Sequence, residues 1–191
     1  MKEQRDGWAA DVLARAAEWA ARLVFVDETG CNTKMARTHG RAPPGERVPG
    51  RTPHGHWNTT TVIGALRAAG PCGAMTLTGA ADADAFETFL DHVLVPALKP
   101  GDVVVMDNLA AHKVAAVREK VEAAGATVLY LPPYSPDLNP IEKMWSKVKA
   151  LLRSAAARTK AALDAAITQA LAAVTADDCR GWLQSCGYAV N

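Results

Sequence analysis

The sequence predicts a single α/β domain with a mixed central sheet flanked by helices, and three features lead to this prediction. The 191 residues are enough for one hydrophobic core. Strand-like apolar runs dominate the first half of the chain, whereas strand-like and helix-like runs alternate in the second half. This order is typical of an α/β domain whose sheet contains both parallel and antiparallel strands.

In the first half, helical apolar spacing predicts an N-terminal helix, and β-branched runs predict strands. Glycine, proline and arginine are dense between these strands, which predicts loops with short edge pairing. The predicted elements are a helix at about 8–21, a buried strand at 23–26 that ends at Asp27, loops at 30–55, and a hairpin of 59–66 with 74–78.

In the second half, two further buried strands alternate with helices that have one apolar face. Gly125 marks the end of the second of these helices, and Asn139-Pro140 is a typical helix start. The predicted elements are helices at 84–98 and 112–124, strands at 102–106 and 127–131, a helix from 139 onward, and a last helix at about 159–174.

Composition excludes several classes of protein. Hydrophobic residues make up 49% of the chain and charged residues 21%, as in ordinary globular domains. No apolar run reaches the roughly 18 residues of a membrane span, and the charged N-terminus is unlike a signal peptide. The four cysteines form no Cys-x-x-Cys pair, which favours reduced thiols over zinc or disulfides. We therefore expect a cytoplasmic protein.

The net charge of +1 conceals an uneven distribution. The segment 34–51 carries a charge of +4 and the segment 143–160 carries +6, so the remaining residues sum to −9. Two basic segments on an acidic remainder are typical of a surface that binds a polyanion. Two solvated surface faces would explain the charge pattern equally well.

Two aspartates stand directly after buried apolar strands. Asp27 follows the run 23–26, and Asp107 follows the run 102–106. Open α/β sheets place ligand sites at the carboxyl edge of their strands, so adjacent strands would bring both carboxylates into one site. Each aspartate alone is better explained as a turn or helix-capping residue, and only the pair favours a shared site.

Glu142 has two interpretations. With Asn139 as N-cap, it occupies the third helical position, where a capping-box acid would lie. Lys149 and Arg153 follow it by 7 and 11 positions and return to nearly the same helical angle. This spacing favours a helix that starts at a metal site and then follows a phosphate backbone.

A cluster of three carboxylates is unfavourable unless protons or cations intervene. Oxygen ligands select Mg²⁺ or Mn²⁺ over Zn²⁺, and two such ions support hydrolysis of a phosphodiester. The sequence has no Gly-x-Ser-x-Gly elbow and no phosphate-binding Gly-x-x-x-x-Gly-Lys loop. Phosphoaspartyl chemistry is also disfavoured. Such enzymes use a second aspartate two residues after the first, and Thr29 stands at that position after Asp27.

Four segments of the chain resemble the DDE transposases of bacterial insertion sequences related to the mariner superfamily. They are Val26-Asp27-Glu28-Thr29, Pro53-His54-Gly55-His56-Trp57, Val105-Met106-Asp107-Asn108 with Ala111-His112-Lys113, and Tyr134-Ser135-Pro136-Asp137-Leu138-Asn139-Pro140-Ile141-Glu142. The 34 residues between Asp107 and Glu142 match the spacing of that group, and glutamate in third place resembles its bacterial and Tc-type branch. The similarity extends from about residue 23 to residue 188.

The resemblance implies a ribonuclease H-like fold and a metal-dependent reaction on DNA. Asp27, Asp107 and Glu142 would be the catalytic, metal-binding residues, with two Mg²⁺ ions for which Mn²⁺ can substitute. The reaction would be strand cleavage at transposon ends followed by strand transfer, carried out by a homodimer on double-stranded DNA in the bacterial nucleoid. The DNA-binding candidates are Arg41, Arg51, Lys147, Lys149 and Arg153, and the accessory candidates are Asn108 and His112. His112 is explained slightly better as a local hydrogen-bonding partner in the first turn of its helix.

Four other residues of the quoted segments and the following helix have predicted roles. Trp57 is a candidate for stacking on DNA bases, whereas Trp145 lies on an apolar stripe and is expected in the core. Tyr134 and Pro136 are expected to hold the loop that orients Glu142.

The predicted organisation departs from the family at the N-terminus. Family members usually have a helix-turn-helix region there, but only some 22 residues precede the first predicted strand. We therefore expect residues 1–21 to be an N-terminal helix or linker remnant and residues 22–191 to be the catalytic domain. Alternative functions are a decayed transposase that only binds DNA, or another ribonuclease H-like nuclease.

Overall fold

In the part of the chain that the structure describes, five β-strands, numbered in chain order, form one mixed sheet in the order β3-β2-β1-β4-β5. The computed structural model describes residues 2–50, 53–55, 57–107 and 115–190. The strands are β1 (Leu23–Asn32), β2 (Thr59–Arg67), β3 (Gly70–Thr78), β4 (Val103–Met106) and β5 (Thr127–Tyr130). The first three strands are antiparallel, whereas β4 and β5 run parallel to β1. The predicted mixed sheet is confirmed.

Helices flank the sheet on both faces. Within the described residues they are α1 (Lys2–Trp8), α2 (Ala16–Trp19), α3 (Ala83–Phe89), α4 (Val95–Ala97), α5 (Ala115–Ala123), α6 (Pro140–Ala155), α7 (Lys160–Ala172) and α8 (Ala176–Ser185). Two π-helical segments, Ala9–Leu13 and Leu90–Leu94, interrupt the helices predicted at 8–21 and 84–98. None of the described helices is long and apolar enough to cross a membrane.

Strand alternation divides the core into two layers, as the period of two along β1 shows. Leu23 and Phe25 point to the side that α6, α7 and α8 cover, which we call the α6 face. Val24 and Val26 point to the side that α3 and α5 cover. The N-terminal helical segment packs on the α6 face through buried Trp8.

Three elements differ from the predictions. β3 begins at Gly70, whereas the second strand of the hairpin is predicted to begin at residue 74. β1 continues to Asn32 because its second half pairs with β2, so the predicted loops begin later than residue 30. The helix at Lys160–Ala172 is not the last one, since α8 follows it. Thr175 starts α8 with a capping box, in which its side chain accepts from the backbone N–H of Asp178 and the Asp178 carboxylate accepts from the Thr175 N–H. That Thr-x-x-Asp signal is present in the sequence and was missed.

Candidate active site

Strand alternation places two acids on the α6 face. Asp27 lies two residues beyond Phe25, and Asp107 lies two residues beyond Val105; both hydrophobic residues pack on that face. Phe25 and Val105 are register partners in the parallel pair of β1 and β4. Asp27 and Asp107 therefore follow equivalent positions on neighbouring strands, as the sequence predicts.

The prediction that the first strand ends at Asp27 is wrong. Asp27 is the fifth of the ten residues of β1. The parallel pairing of β1 with β4 does stop at Val26 and Met106, and from Asp27 onward the only strand paired with β1 in the described part of the chain is β2. Asp27 thus lies where the sheet opens between β1 and β4, which gives its side chain a cleft to face.

Glu142 reaches the same cleft from the first turn of α6. Buried side chains of α6 pack it firmly on the sheet, and they are Ile141, Met144, Trp145, Val148 and Leu152. The capping-box interpretation is not realised, because the Asn139 side chain makes no capping bond and the Asn139 N–H donates to Pro136 O at 3.1 Å. The Glu142 carboxylate is exposed and lines the cleft.

The three acids line one cleft of about 430 Å³. β1, β4 and α6 supply the acids, and the loop before α6 closes one side. The remaining lining residues are Leu131, Pro132, Pro133, Tyr134, Ser135, Pro136 and Asn139. An acidic floor with a proline-rich wall therefore forms from segments that extend from residue 27 to residue 142 of the sequence.

Electrostatics also shows that the acids act on one another. Burial, followed by the negative charge of Glu142, raises the pKa of Asp27 from 3.8 to about 8. The N–H of Glu28 opposes this shift, whereas the charges of Glu28 and Asp107 add to it. Asp27 is only 7% exposed. The metal-free site therefore holds negative charge that a proton or a cation would relieve.

Two hydrogen bonds from described residues hold the Asp27 carboxylate. The backbone N–H of Glu28 donates to Oδ1 at 2.9 Å, and Asn139 Nδ2 donates to Oδ2 at 3.3 Å. Asn139 therefore connects the start of α6 to β1, a role that its assignment as a simple N-cap did not predict.

Arg5 holds the loop that closes the cleft. Its guanidinium binds both carboxylate oxygens of Asp137, at 3.0 and 2.7 Å, and donates to Tyr134 O and Ser135 Oγ. Tyr188 Oη donates to Leu138 O at 2.8 Å from the other end of the chain. Sequence reasoning missed Arg5, because nothing in a 129-residue separation signals the contact.

The Tyr134 ring does not hold this loop, contrary to our expectation. It is 86% exposed, and the residue has a left-handed backbone with φ of 56°. Only its carbonyl takes part in the Arg5 contact. Trp145 is buried as predicted, whereas Trp57 is half exposed and the ammonium of Lys34 lies 3.8 Å from its ring centroid.

The acids form an open site. Among the described residues, no three His, Cys, Asp or Glu side chains converge closely enough to enclose an ion by themselves. Mg²⁺ usually keeps several waters and takes one or two carboxylates together with substrate phosphates. An open acidic cleft with only oxygen donors fits that mode of binding.

The basic residues of α6 divide into two groups. Lys149 and Arg153 line a groove of about 250 Å³ together with Glu142 and Trp145, so the basic stripe does start at the acidic cleft. Lys147 instead points towards α8, where it forms an ion pair with Asp178.

Further basic residues of the segment 143–160 also have structural partners. Arg158 donates to the carbonyls of Thr33 and Met35, and Lys160 pairs with Asp164. Two of the six basic residues of this segment, Lys147 and Lys160, are therefore paired with acids. Arg41 is exposed in the segment between β1 and β2. The predictions for Arg51, Asn108 and His112 fall outside the described residues.

A carboxylate on β1, a second directly after the neighbouring β4 and a third on the following helix α6, on a mixed sheet of this order, place the chain among the ribonuclease H-like nucleases. The chain belongs to the DDE superfamily endonuclease family, whose model matches residues 22–164. The predicted family and the predicted ribonuclease H-like fold are confirmed. No curated protein sequence matches the chain. An origin in a bacterial insertion sequence stays a prediction.

Solved structures of Mos1 transposase have the same fold. The Mos1 transposase paired-end complex with left transposon end superimposes with a TM-score of 0.78 at 19% identity, over 97% of this chain and 58% of that chain. The catalytic domain of Mos1 mariner transposase gives 0.71 at 17% identity, over 100% and 97%. The Mos1 catalytic domain with Raltegravir and Mg gives 0.72 at 18%, over 97% and 89%. The chain thus spans 58% of that first transposase and nearly all of its separate catalytic domain.

Proposed function

We propose that this chain is the catalytic domain of a transposase that cuts DNA strands at transposon ends and transfers them to target DNA. The observation that carries the proposal is the convergence of Asp27, Asp107 and Glu142 on one cleft of a DDE-family fold. Solved relatives support it, since they include a Mos1 paired-end complex and a Mos1 strand transfer complex.

The proposed cofactor is Mg²⁺, with Mn²⁺ as substitute, bound as two ions by Asp27, Asp107 and Glu142. The donor set supports this, because carboxylate oxygens suit hard divalent cations. The raised pKa of Asp27 supports it as well, because burial and the charge of Glu142 raise it and a bound cation would oppose both effects. Mos1 structures have been solved with Mg and with Mn.

The chain's own residues prepare the site for in-line phosphoryl transfer. When bound, the ions supply activation of a water or 3′-hydroxyl and stabilisation of the leaving oxygen. Glu28 and Asn139 orient Asp27 through their hydrogen bonds, and the packing of α6 fixes the position of Glu142. The loop that Arg5 holds walls the cleft on one side.

We further propose that the groove beside Lys149 and Arg153 follows a DNA backbone away from the cleft. Both are half-buried, and neither forms an ion pair with an acid in the described part of the chain, so their charge is available to phosphates. Lys147, Arg41 and Arg51 stay predictions as DNA contacts. Because two transposon ends must be joined, we also propose a homodimer, acting in the nucleoid.

A cleavage assay tests this function. The protein is mixed with supercoiled plasmid and with duplex oligonucleotides, in Mn²⁺ or in EDTA, next to Asp107→Asn and a matched control, Asp84→Asn, whose acid is exposed on α3. We expect metal-dependent cutting by the wild type and by Asp84→Asn, and none by Asp107→Asn. Cutting that survives EDTA or Asp107→Asn would overturn the assignment of the site.

Two other results would replace the proposal with a different function. Cutting of RNA–DNA hybrids but not of duplex DNA would identify a ribonuclease H-type nuclease. Binding of DNA in Mn²⁺ with no cutting at all would identify a decayed transposase that only binds DNA.

A further inference from the structure

Asn139 stands at the start of α6 but does not cap that helix. Its backbone is extended, with φ of −109° and ψ of 93°, and its side chain makes no capping hydrogen bond. The N-caps of α3, α7 and α8, which are Asp82, Thr159 and Thr175, all accept a hydrogen bond from their helix. The Asn139 side chain is therefore used for something other than the helix terminus.

The side chain turns into the acidic cleft. Asn139 is 4% exposed and lines the cleft together with Asp27, Asp107 and Glu142. Its Nδ2 donates to Asp27 Oδ2 at 3.3 Å. Once a bound cation ionises Asp27, its carboxylate only accepts hydrogen bonds, so the Nδ2 end of the amide is the end that faces it.

The other end of the amide is an orphaned acceptor. Asn139 Oδ1 is buried and accepts no hydrogen bond from any residue that the structure describes. A buried carbonyl oxygen without a donor is unfavourable, and such atoms in native structures point to a missing partner. A hydrated divalent cation carries waters that are good donors, and Mg²⁺ retains several of them when bound to carboxylates.

We propose that Asn139 is a positioning residue of the divalent-cation site. This proposal rests on the proposed function. Its Nδ2 holds Asp27 with the carboxylate oriented for a cation, and its Oδ1 accepts a hydrogen bond from a water of the cation. The amide thereby couples the first acid, on β1, to the helix that carries Glu142. Outer-shell partners of this kind typically change metal affinity by about 10–100-fold when they are removed.

The test measures Mn²⁺ affinity in the absence of DNA, by calorimetry and by the loss of the free-ion electron paramagnetic resonance signal. The full chain is compared with Asn139→Ala, Asn139→Ser and the matched control Thr159→Ala, which removes a helix cap far along the chain from the cleft. We expect both Asn139 variants to bind Mn²⁺ at least about 10-fold more weakly. Thr159→Ala should lower the melting temperature and leave the affinity for Mn²⁺ unchanged.

Two outcomes separate the inference from the function on which it rests. If the Asn139 variants fold and bind Mn²⁺ as the wild type does, Asn139 is only structural and the inference is overturned, while the acidic site stands. If the wild type itself binds no Mn²⁺, or Asp107→Asn binds it equally well, the proposed metal site fails and the inference with it. Asn139→Ser, which keeps a residue favoured at N-caps, serves where Asn139→Ala does not fold.

Discussion

Gly64→Ala should loosen the packing that places Glu142 over the sheet. Gly64 lies on β2 as the register partner of Asp27, and an added Cβ there would lie 2.7 Å from Cη2 and 3.2 Å from Cζ2 of Trp145. Trp145 is 2% exposed and follows Glu142 by one turn of α6. The indole would have to move, and with it the first turn of the helix.

The magnitude follows from two opposing contributions. Overpacking of a filled core lowers the free energy of unfolding by about 1–3 kcal/mol. Replacing glycine by alanine in a permitted conformation raises it by about 0.4–1 kcal/mol. We expect a net loss of about 1–2 kcal/mol in the free energy of unfolding. For a chain of this size, this corresponds to a fall of about 2–8 °C in melting temperature.

The assay is urea unfolding of the metal-free protein, with Gly30→Ala on β1 as the matched control. An added Cβ at Gly30 would lie 4.0 Å from Thr59 Cγ2, so that variant should be as stable as the wild type or slightly more stable. Gly64→Ala should also lower the rate of Mn²⁺-dependent DNA cleavage, because Glu142 moves with α6.

A double-mutant cycle with Trp145→Phe makes the prediction specific. The Trp145 Nε1 is buried with no acceptor among the described residues, so phenylalanine loses no hydrogen bond and opens room where the Cβ would collide. We expect the double variant to lose about 1 kcal/mol less free energy of unfolding than the sum of the losses in the two single variants. Strict additivity, or a Gly64→Ala variant as stable as Gly30→Ala, would refute the packing account.

Three further perturbations test separate parts of the account. Arg5→Met should slow DNA cleavage without unfolding the protein, because it removes the hydrogen bonds that hold the loop beside the cleft. An unchanged cleavage rate would show that the loop keeps its position without Arg5. Charge reversal at Lys149 and Arg153 should weaken DNA binding and reduce the slope of log K against log salt by about 2, whereas reversal at Lys160, which pairs on α7, should leave the slope unchanged. An unchanged slope in the double variant would show that Lys149 and Arg153 face solvent and do not contact DNA. The raised pKa of Asp27 means that the metal-free fold loses stability as pH rises from about 4 to about 8, the reverse of a salt-bridged aspartate. Asp27→Asn should therefore gain on the order of a few kcal/mol over the wild type at pH 8.5 in EDTA and little at pH 4, and equal unfolding curves at pH 8.5 would contradict the burial of an unpaired charge.

The paired aspartates were predictable because their signal is local. Each follows a short apolar run, and the period of two within the strand fixes which face the carboxylate takes. The length of β1 was not predictable from that run, because residues 28–32 extend it by pairing with β2, and pairing depends on a partner about 30 residues away. Asp107 does follow the end of β4, whereas Asp27 lies within β1, at the point where the pairing of β1 with β4 stops.

Contacts between distant segments account for most of what the sequence did not show. Lys147 belongs to a basic run, yet its charge is paired by Asp178 on a helix that was missed. Arg5 lies in the segment predicted to be an N-terminal helix or linker remnant, and its guanidinium holds the loop at the cleft. Asn139 fits a helix cap by residue type, and only the packing of α6 against β1 reveals that its amide faces Asp27 instead.

The most direct test of the account is to locate the cation. Crystals of the metal-free protein soaked in Mn²⁺ would give anomalous difference peaks at each bound ion. The account predicts peaks about 2.1 Å from carboxylate oxygens of Asp27 and Asp107, with Glu142 at the same centre. Peaks only at other surface acids, with none in the cleft at saturating Mn²⁺, would contradict the claim that these three residues form a metal-binding active site.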